Sequence, residues 1–109
     1  MNTICLLGRL VRDPETRYTQ SGKAVANFTL AVNRQFDRDK TDFINCAAWG
    51  KTAEVIVQYL RKGNQLGVVG ELNIDNIDGK YYTKVNVRNI TFVGGNKETS
   101  VVEDEEIPF

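Results

Sequence analysis

Apolar and polar positions alternate along most of this chain, so strands dominate its expected structure. In Thr3–Arg12, Ile4, Leu6, Gly8 and Leu10 alternate with Cys5, Leu7, Arg9 and Val11, and both faces are largely apolar. A strand apolar on both sides implies a second apolar contact, such as another subunit. Asp13-Pro14 breaks it, because Pro14 removes a donor and restricts Asp13. The segment to Gly22 carries Arg12, Arg17 and Tyr18 as a connection. A second strand runs from Ala24 to about Gln35, with Phe28, Leu30 and Val32 inward and Asn27, Thr29, Ala31 and Asn33 outward. The charged loop Arg34–Lys40 then holds Phe36. Strict alternation groups Phe36 with the inward set, so it faces outward only if the strand has ended or twisted.

The stretch Asp42–Lys51 organises the rest. Ile44, Cys46 and Ala48 form a small apolar face suited to packing, while Phe43, Asn45, Ala47 and Trp49 form the other. Six residues at ~3.3 Å each set the two rings ~20 Å apart on one surface. Spaced rings on a shallow sheet face suit the stacking of unpaired bases. The alternative is that Phe43 and Trp49 are ordinary packing residues.

The chain's good helical stripe follows, with Ala53, Ile56, Val57 and Leu60 at i, i+3, i+4 and i+7. Thr52 is the expected N-cap and Gly63 the expected C′ residue, with Arg61 and Lys62 suiting the negative end. Gly50-Lys51-Thr52 resembles the end of a phosphate-binding loop, but Asn45 stands where that motif requires Gly. A fourth strand is expected over Gln65–Ile74, bending at Gly67 and Gly70. Asp78-Gly79 signals a hairpin turn. The fifth strand, Lys80–Phe92, has Val85 and Val87 inward and Tyr82, Lys84, Asn86 and Arg88 outward. Three strands, a helix and a hairpin predict an all-β OB-fold, a five-stranded Greek-key barrel with one helix between strands 3 and 4.

The length of 109 residues fits one domain. No apolar run is long enough to span a membrane, and the N-terminus lacks a signal-peptide pattern, so a cytoplasmic protein is expected. The chain has no His and no Cys-x-x-Cys, so no metal or cofactor site is expected. Cys5 and Cys46 are expected to be reduced core residues. The zero net charge conceals an asymmetry: residues 1–96 carry 13 Lys or Arg against 9 Asp or Glu, a balance of +4, and residues 97–109 carry one against five, a balance of −4. A basic body with an acidic tail suggests that the body meets a polyanion. The mixed basic and aromatic faces of Phe43, Trp49 and Lys51 and of Tyr82, Lys84 and Arg88 point to nucleic acid.

Several segments together resemble the bacterial and phage single-stranded-DNA-binding proteins. They are Leu7-Gly8-Arg9-Leu10, Asp13–Tyr18, Gly22–Ala31, Trp49–Glu54, Tyr59–Gly63, Val69-Gly70-Glu71-Leu72 and the acidic Asp104-Glu105-Glu106-Ile107-Pro108-Phe109. The resemblance implies an OB-fold domain over residues 1–95 that binds single-stranded DNA without sequence preference, in replication, recombination and repair. It implies stacking by Phe36, Phe43 and Trp49. The family's usual hairpin aromatic is missing, so that either the hairpin contributes little stacking or Tyr81 or Tyr82 substitutes, with Tyr82 taken as the candidate. Phosphate contacts would come from Arg9, Arg17, Lys23, Arg34, Lys51, Arg61 and Lys62, joined by Lys84 and Arg88 on the last strand. The resemblance further implies a homotetramer paired through the first strand. Residues 96–109 would be a short linker and a disordered acidic tip whose residues Asp104, Glu105, Glu106, Ile107, Pro108 and Phe109 bind replication and repair proteins. The tip could instead rest near the basic groove of its own tetramer. The cell would be bacterial, with the protein at the nucleoid, or the gene phage-borne. No small-molecule substrate is implied. Two rivals are an enzyme, for which no catalytic constellation is visible, and an OB module that binds another protein.

Overall fold

The computed structural model describes residues 1–37 and 39–93. Its elements are β1 (Ile4–Leu10), β2 (Glu15–Tyr18), β3 (Ala24–Asn33), β4 (Thr41–Trp49), α1 (Gly50–Tyr59), β5 (Gln65–Ile77) and β6 (Lys80–Phe92). The strands lie in the order β1-β5-β6-β4-β3-β2, and β1 also pairs with β3. That extra pairing closes β1, β5, β6, β4 and β3 into a ring, the expected five-stranded barrel with its helix between the third and fourth barrel strands. β2 lies outside the ring as a short addition to β3.

Period-two alternation drives closure, because each of the five barrel strands turns one apolar row inward. Leu10, Phe28, Leu30, Cys46, Leu66, Val68, Val85 and Ile90 meet in one core. The stripe of α1 closes one end, with Ala53, Ile56 and Leu60 buried and Val57 packed against them. Gly50 joins β4 to α1 with no loop, at a φ of +59° that L side chains rarely adopt. Asp78 and Gly79, both at positive φ, form the two-residue turn between β5 and β6.

Five local expectations are corrected. Glu15–Tyr18 is a strand rather than a connection; all four residues are exposed, so no buried row marked it in the sequence. The helix is capped by Trp49, with no side-chain cap bond, one turn earlier than Thr52; it ends at an extended Leu60, so Gly63 lies in the following turn rather than at C′. β5 extends to Ile77, because pairing with β6 continues up to the turn. Cys5 is exposed on the outer face of β1, while Cys46 is buried as expected. That outer face is open in the single chain, where Leu7 is 52% exposed.

The step of β1 from β5 to β3 fixes the barrel's size. Gly8 pairs with Leu66 of β5, and Arg9 pairs with both Gln65 of β5 and Ala31 of β3. A Cβ on Gly8 would meet the Ala31 carbonyl oxygen at 2.6 Å. Gly8→Ala is therefore expected to destabilise the fold by about 1–3 kcal/mol. Chemical denaturation measures this, and an unchanged midpoint would contradict the close approach.

Candidate nucleic-acid interface

β4 carries the surface around which the site is built. Ile44, Cys46 and Ala48 pack on the core, so alternation turns Phe43, Asn45, Ala47 and Trp49 outward. Phe43 is 67% exposed and Trp49 39%. Asn45 between them is exposed, whereas Ala47 is wholly enclosed by its neighbours and forms a floor. Burial pushes the Cys46 thiol beneath this surface up to about 12, which keeps it protonated and unreactive.

Register carries the surface across the sheet. Phe43, Asn45, Ala47 and Trp49 face Ala31, Thr29, Asn27 and Val25 of β3. Beyond β3, Arg9 of β1 stands opposite Ala31, and Glu15 and Arg17 of β2 stand opposite Asn27 and Val25. Cross-strand partners share a face. Each ring's row therefore ends in an arginine: Phe43–Ala31–Arg9 and Trp49–Val25–Arg17. Lys23 adds a cation 6.0 Å from the Trp49 ring centroid, at the edge of cation–π range. Lys51 is exposed in the first turn of α1. On the other flank, the parallel pairing of Ala47 with Asn86 places Asn86, and by alternation Lys84 and Tyr82, on this same face. Tyr81 is exposed too, but alternation assigns it to the opposite side of the hairpin.

Phe36 is fully exposed in the β3–β4 loop. β3 ends at Asn33, which frees Phe36 from strand parity. The loop's stem is fastened by three contacts. The Arg34 backbone N–H donates to the Lys40 carbonyl at 3.1 Å. Thr41 Oγ1 donates to Asn33 Oδ1 at 2.9 Å. Arg34 Nε and Nη2 each donate to the Asp42 carboxylate at 3.0 Å.

Other expected cations stand apart or are engaged. Arg61 Nη1 donates to the Val57 and Leu60 carbonyls at 2.6 and 2.7 Å, where the C-terminal end of α1 attracts positive charge. Lys62 is exposed in the same turn, its backbone N–H donating to Asp13. Arg9 Nη1 reaches the Gly63 carbonyl at 3.1 Å. Arg88 is exposed on the outer side, as alternation from Tyr82 and Lys84 predicts, and the inward parity of Val85 and Val87 shifts to Ile90 only beyond it. The β5–β6 register shifts between Val69 and Gly70, and Arg88 is the unpaired residue opposite that shift. Its Nη2 donates to Thr3 Oγ1 at 3.0 Å and to the Gly70 carbonyl at 3.3 Å. The expected tip, Asp104–Phe109, lies outside the described residues. Sequence reasoning missed Glu15, whose place follows from the unrecognised strand β2.

Residues 1–93 match the Single-strand binding protein family. Proteins named single-stranded DNA-binding protein from Clostridium perfringens, Halalkalibacterium halodurans and Enterococcus faecalis are 48%, 46% and 48% identical to this chain over 99, 102 and 95 residues. These matches cover 85%, 85% and 83% of the chain but 66%, 61% and 50% of the relatives, so the chain spans less than two thirds of their length. The crystal structure of the wild-type single-stranded DNA binding protein from Thermus aquaticus superposes with a TM-score of 0.75 at 35% identity, covering 88% of this chain and 42% of that one.

The Arg34–Asp42 pair yields a titration prediction. Hydrogen bonds from Arg34 hold the Asp42 carboxyl below the usual carboxylate range. The pair's contribution is thus present above the unfolded-state value and lost as pH falls through the folded one, and solvent exposure keeps it small. Arg34→Gln is expected to raise the Asp42 value in an NMR pH titration. No upward movement would contradict the pairing.

Proposed function

The chain belongs to the Single-strand binding protein family, and on that premise we propose that the β3–β4 face binds single-stranded DNA without chemistry on the strand. The observation that carries this reading is the pair of exposed rings, Phe43 and Trp49, on one strand face with an arginine at the end of each row. Phe43 and Trp49 stack on bases, Phe36 extends the track from the loop, and Tyr82 extends it along β6. Arg9, Arg17, Lys23, Lys51 and Lys84 neutralise phosphates and release counterions. Arg34 does so by exchanging Asp42 for a phosphate. Arg61, Lys62 and Arg88, farther out, meet a strand that wraps past this face. Duplex DNA is disfavoured because its bases are already stacked.

The assembly we propose is a homotetramer that covers Cys5 and Leu7 on β1, so that one strand visits several copies and weak contacts multiply. Asp104, Glu105, Glu106, Ile107, Pro108 and Phe109 bind replication, recombination and repair proteins as an acidic, apolar-ended ligand for a basic pocket. The protein protects transient single strands at the nucleoid of a bacterial cell, or serves a phage there.

Phe43→Ala and Trp49→Ala are each expected to weaken binding to oligodeoxythymidylate by about 1–3 kcal/mol while the thermal midpoint stays near wild type. Equilibrium binding and calorimetry measure the two. Unchanged affinity would remove that ring from the site, and equal affinity for duplex would overturn the single-strand reading. Deleting 103–109 is expected to abolish capture of replication proteins and tighten DNA binding slightly; intact capture would contradict the role of the tip.

A further inference from the structure

Between the two rings the face opens into a cleft of about 210 Å³, whose polar lining is Arg12, Glu15, Asn27, Thr29, Asn45 and Lys84. It is smaller than the ~300–1,000 Å³ of drug-sized pockets and suits part of a single heterocycle. Strand register explains why these groups converge. Thr29 is the cross-strand partner of Asn45, and Glu15 that of Asn27. The parallel β4–β6 register brings Lys84 alongside Asn45.

The cleft is organised rather than merely polar. Thr29, almost wholly buried, donates its hydroxyl to Asn45 Oδ1 at 3.0 Å. That bond engages the amide oxygen and leaves the amide N–H groups for a ligand. On the flank, the Asn86 amide is held by Asn73 Oδ1 and is taken out of competition. None of Arg12, Glu15 and Lys84 forms a salt bridge among the described residues. Three charged side chains outside any salt bridge and one oriented amide thus border a single cleft.

Its position decides its ligand. A strand stacked on both Phe43 and Trp49 must cross the ~20 Å between them. The base passing over Asn45 and Ala47 lies between the exposed rings, above a cleft to which buried Phe28 and Cys46 also contribute. Its hydrogen-bonding edge meets Asn45, Lys84 and Arg12 as donors and Glu15 as acceptor. Thymine matches this set, with two carbonyl acceptors flanking one ring N–H. We propose that this cleft is a base-edge pocket, which binds one unstacked nucleobase of the strand through hydrogen bonds midway between the stacking positions. The inference rests on the strand-binding reading and goes beyond it, because stacking and phosphate contact do not depend on base edges.

The test replaces thymine by its non-polar isostere. Oligodeoxythymidylate and an oligomer of equal length carrying difluorotoluene nucleotides present the same shape and backbone, but the isostere lacks the edge hydrogen bonds. The wild-type protein is expected to bind the isosteric strand about tenfold more weakly. Asn45→Ala, at an exposed position, is expected to weaken binding to the thymidine strand and narrow the difference between strands to within about twofold. Thr29→Val, which frees the amide, is expected to narrow it in part. Equal or tighter binding of the isostere by wild type would overturn the pocket while leaving strand binding intact. A tenfold difference that survives Asn45→Ala would overturn it too. Failure of wild type to bind either strand would overturn the strand-binding reading and the pocket with it.

Discussion

The nine-residue antiparallel pairing of β3 with β4, from Val25↔Trp49 to Asn33↔Thr41, is the constraint on which the rest depends. Side chains alternate along a strand, so a slip of one residue would drive Phe43 and Trp49 into the core and Cys46 and Ala48 into solvent. The core opposes that slip on both strands, since Phe28 and Leu30 on β3 and Cys46 and Ala48 on β4 are all buried. Burial on one face therefore sets what the other face presents. The proposed binding surface is the reverse side of the packing that closes the barrel.

That logic also separates positioning from contact. The two arginine-ended rows exist because β1 and β2 both pair along the same side of β3, one near Ala31 and one near Val25. The Arg34–Asp42 pair fastens the loop that presents Phe36, so the ring is offered to solvent from a defined stem. Arg61 binds carbonyls at the C-terminal end of its own helix instead. Side chains of one charge type thus have different tasks, and the backbone groups around them decide which.

The barrel strands and the helix were legible because burial leaves a period in the sequence. Ile44, Cys46 and Ala48 mark a strand, and Ala53, Ile56, Val57 and Leu60 mark a helix. β2 was not legible, because none of its four residues is buried and its partner Ala24–Asn27 is recognised only in three dimensions. The change of parity beyond Arg88 was not legible for a related reason: an unpaired residue interrupts alternation, and a bulge in β6 depends on its partner Gly70. The outward rings could be read from alternation, with only the parity of Phe36 undecided until the end of β3 was known. The cleft between the rings could not, because Glu15, Thr29 and Lys84 come from three strands and meet through register.

The most direct test of the central claim uses the chain's single tryptophan, Trp49, as its own probe in the proposed groove. Its intrinsic fluorescence would be followed during titration with oligodeoxythymidylate at low and high salt. Stacking on Trp49 predicts strong quenching, with an apparent affinity that falls as salt rises because phosphate contacts release counterions. Quenching shared equally by duplex DNA, or no quenching with a strand that other probes show to be bound, would contradict the placement of the strand on this face.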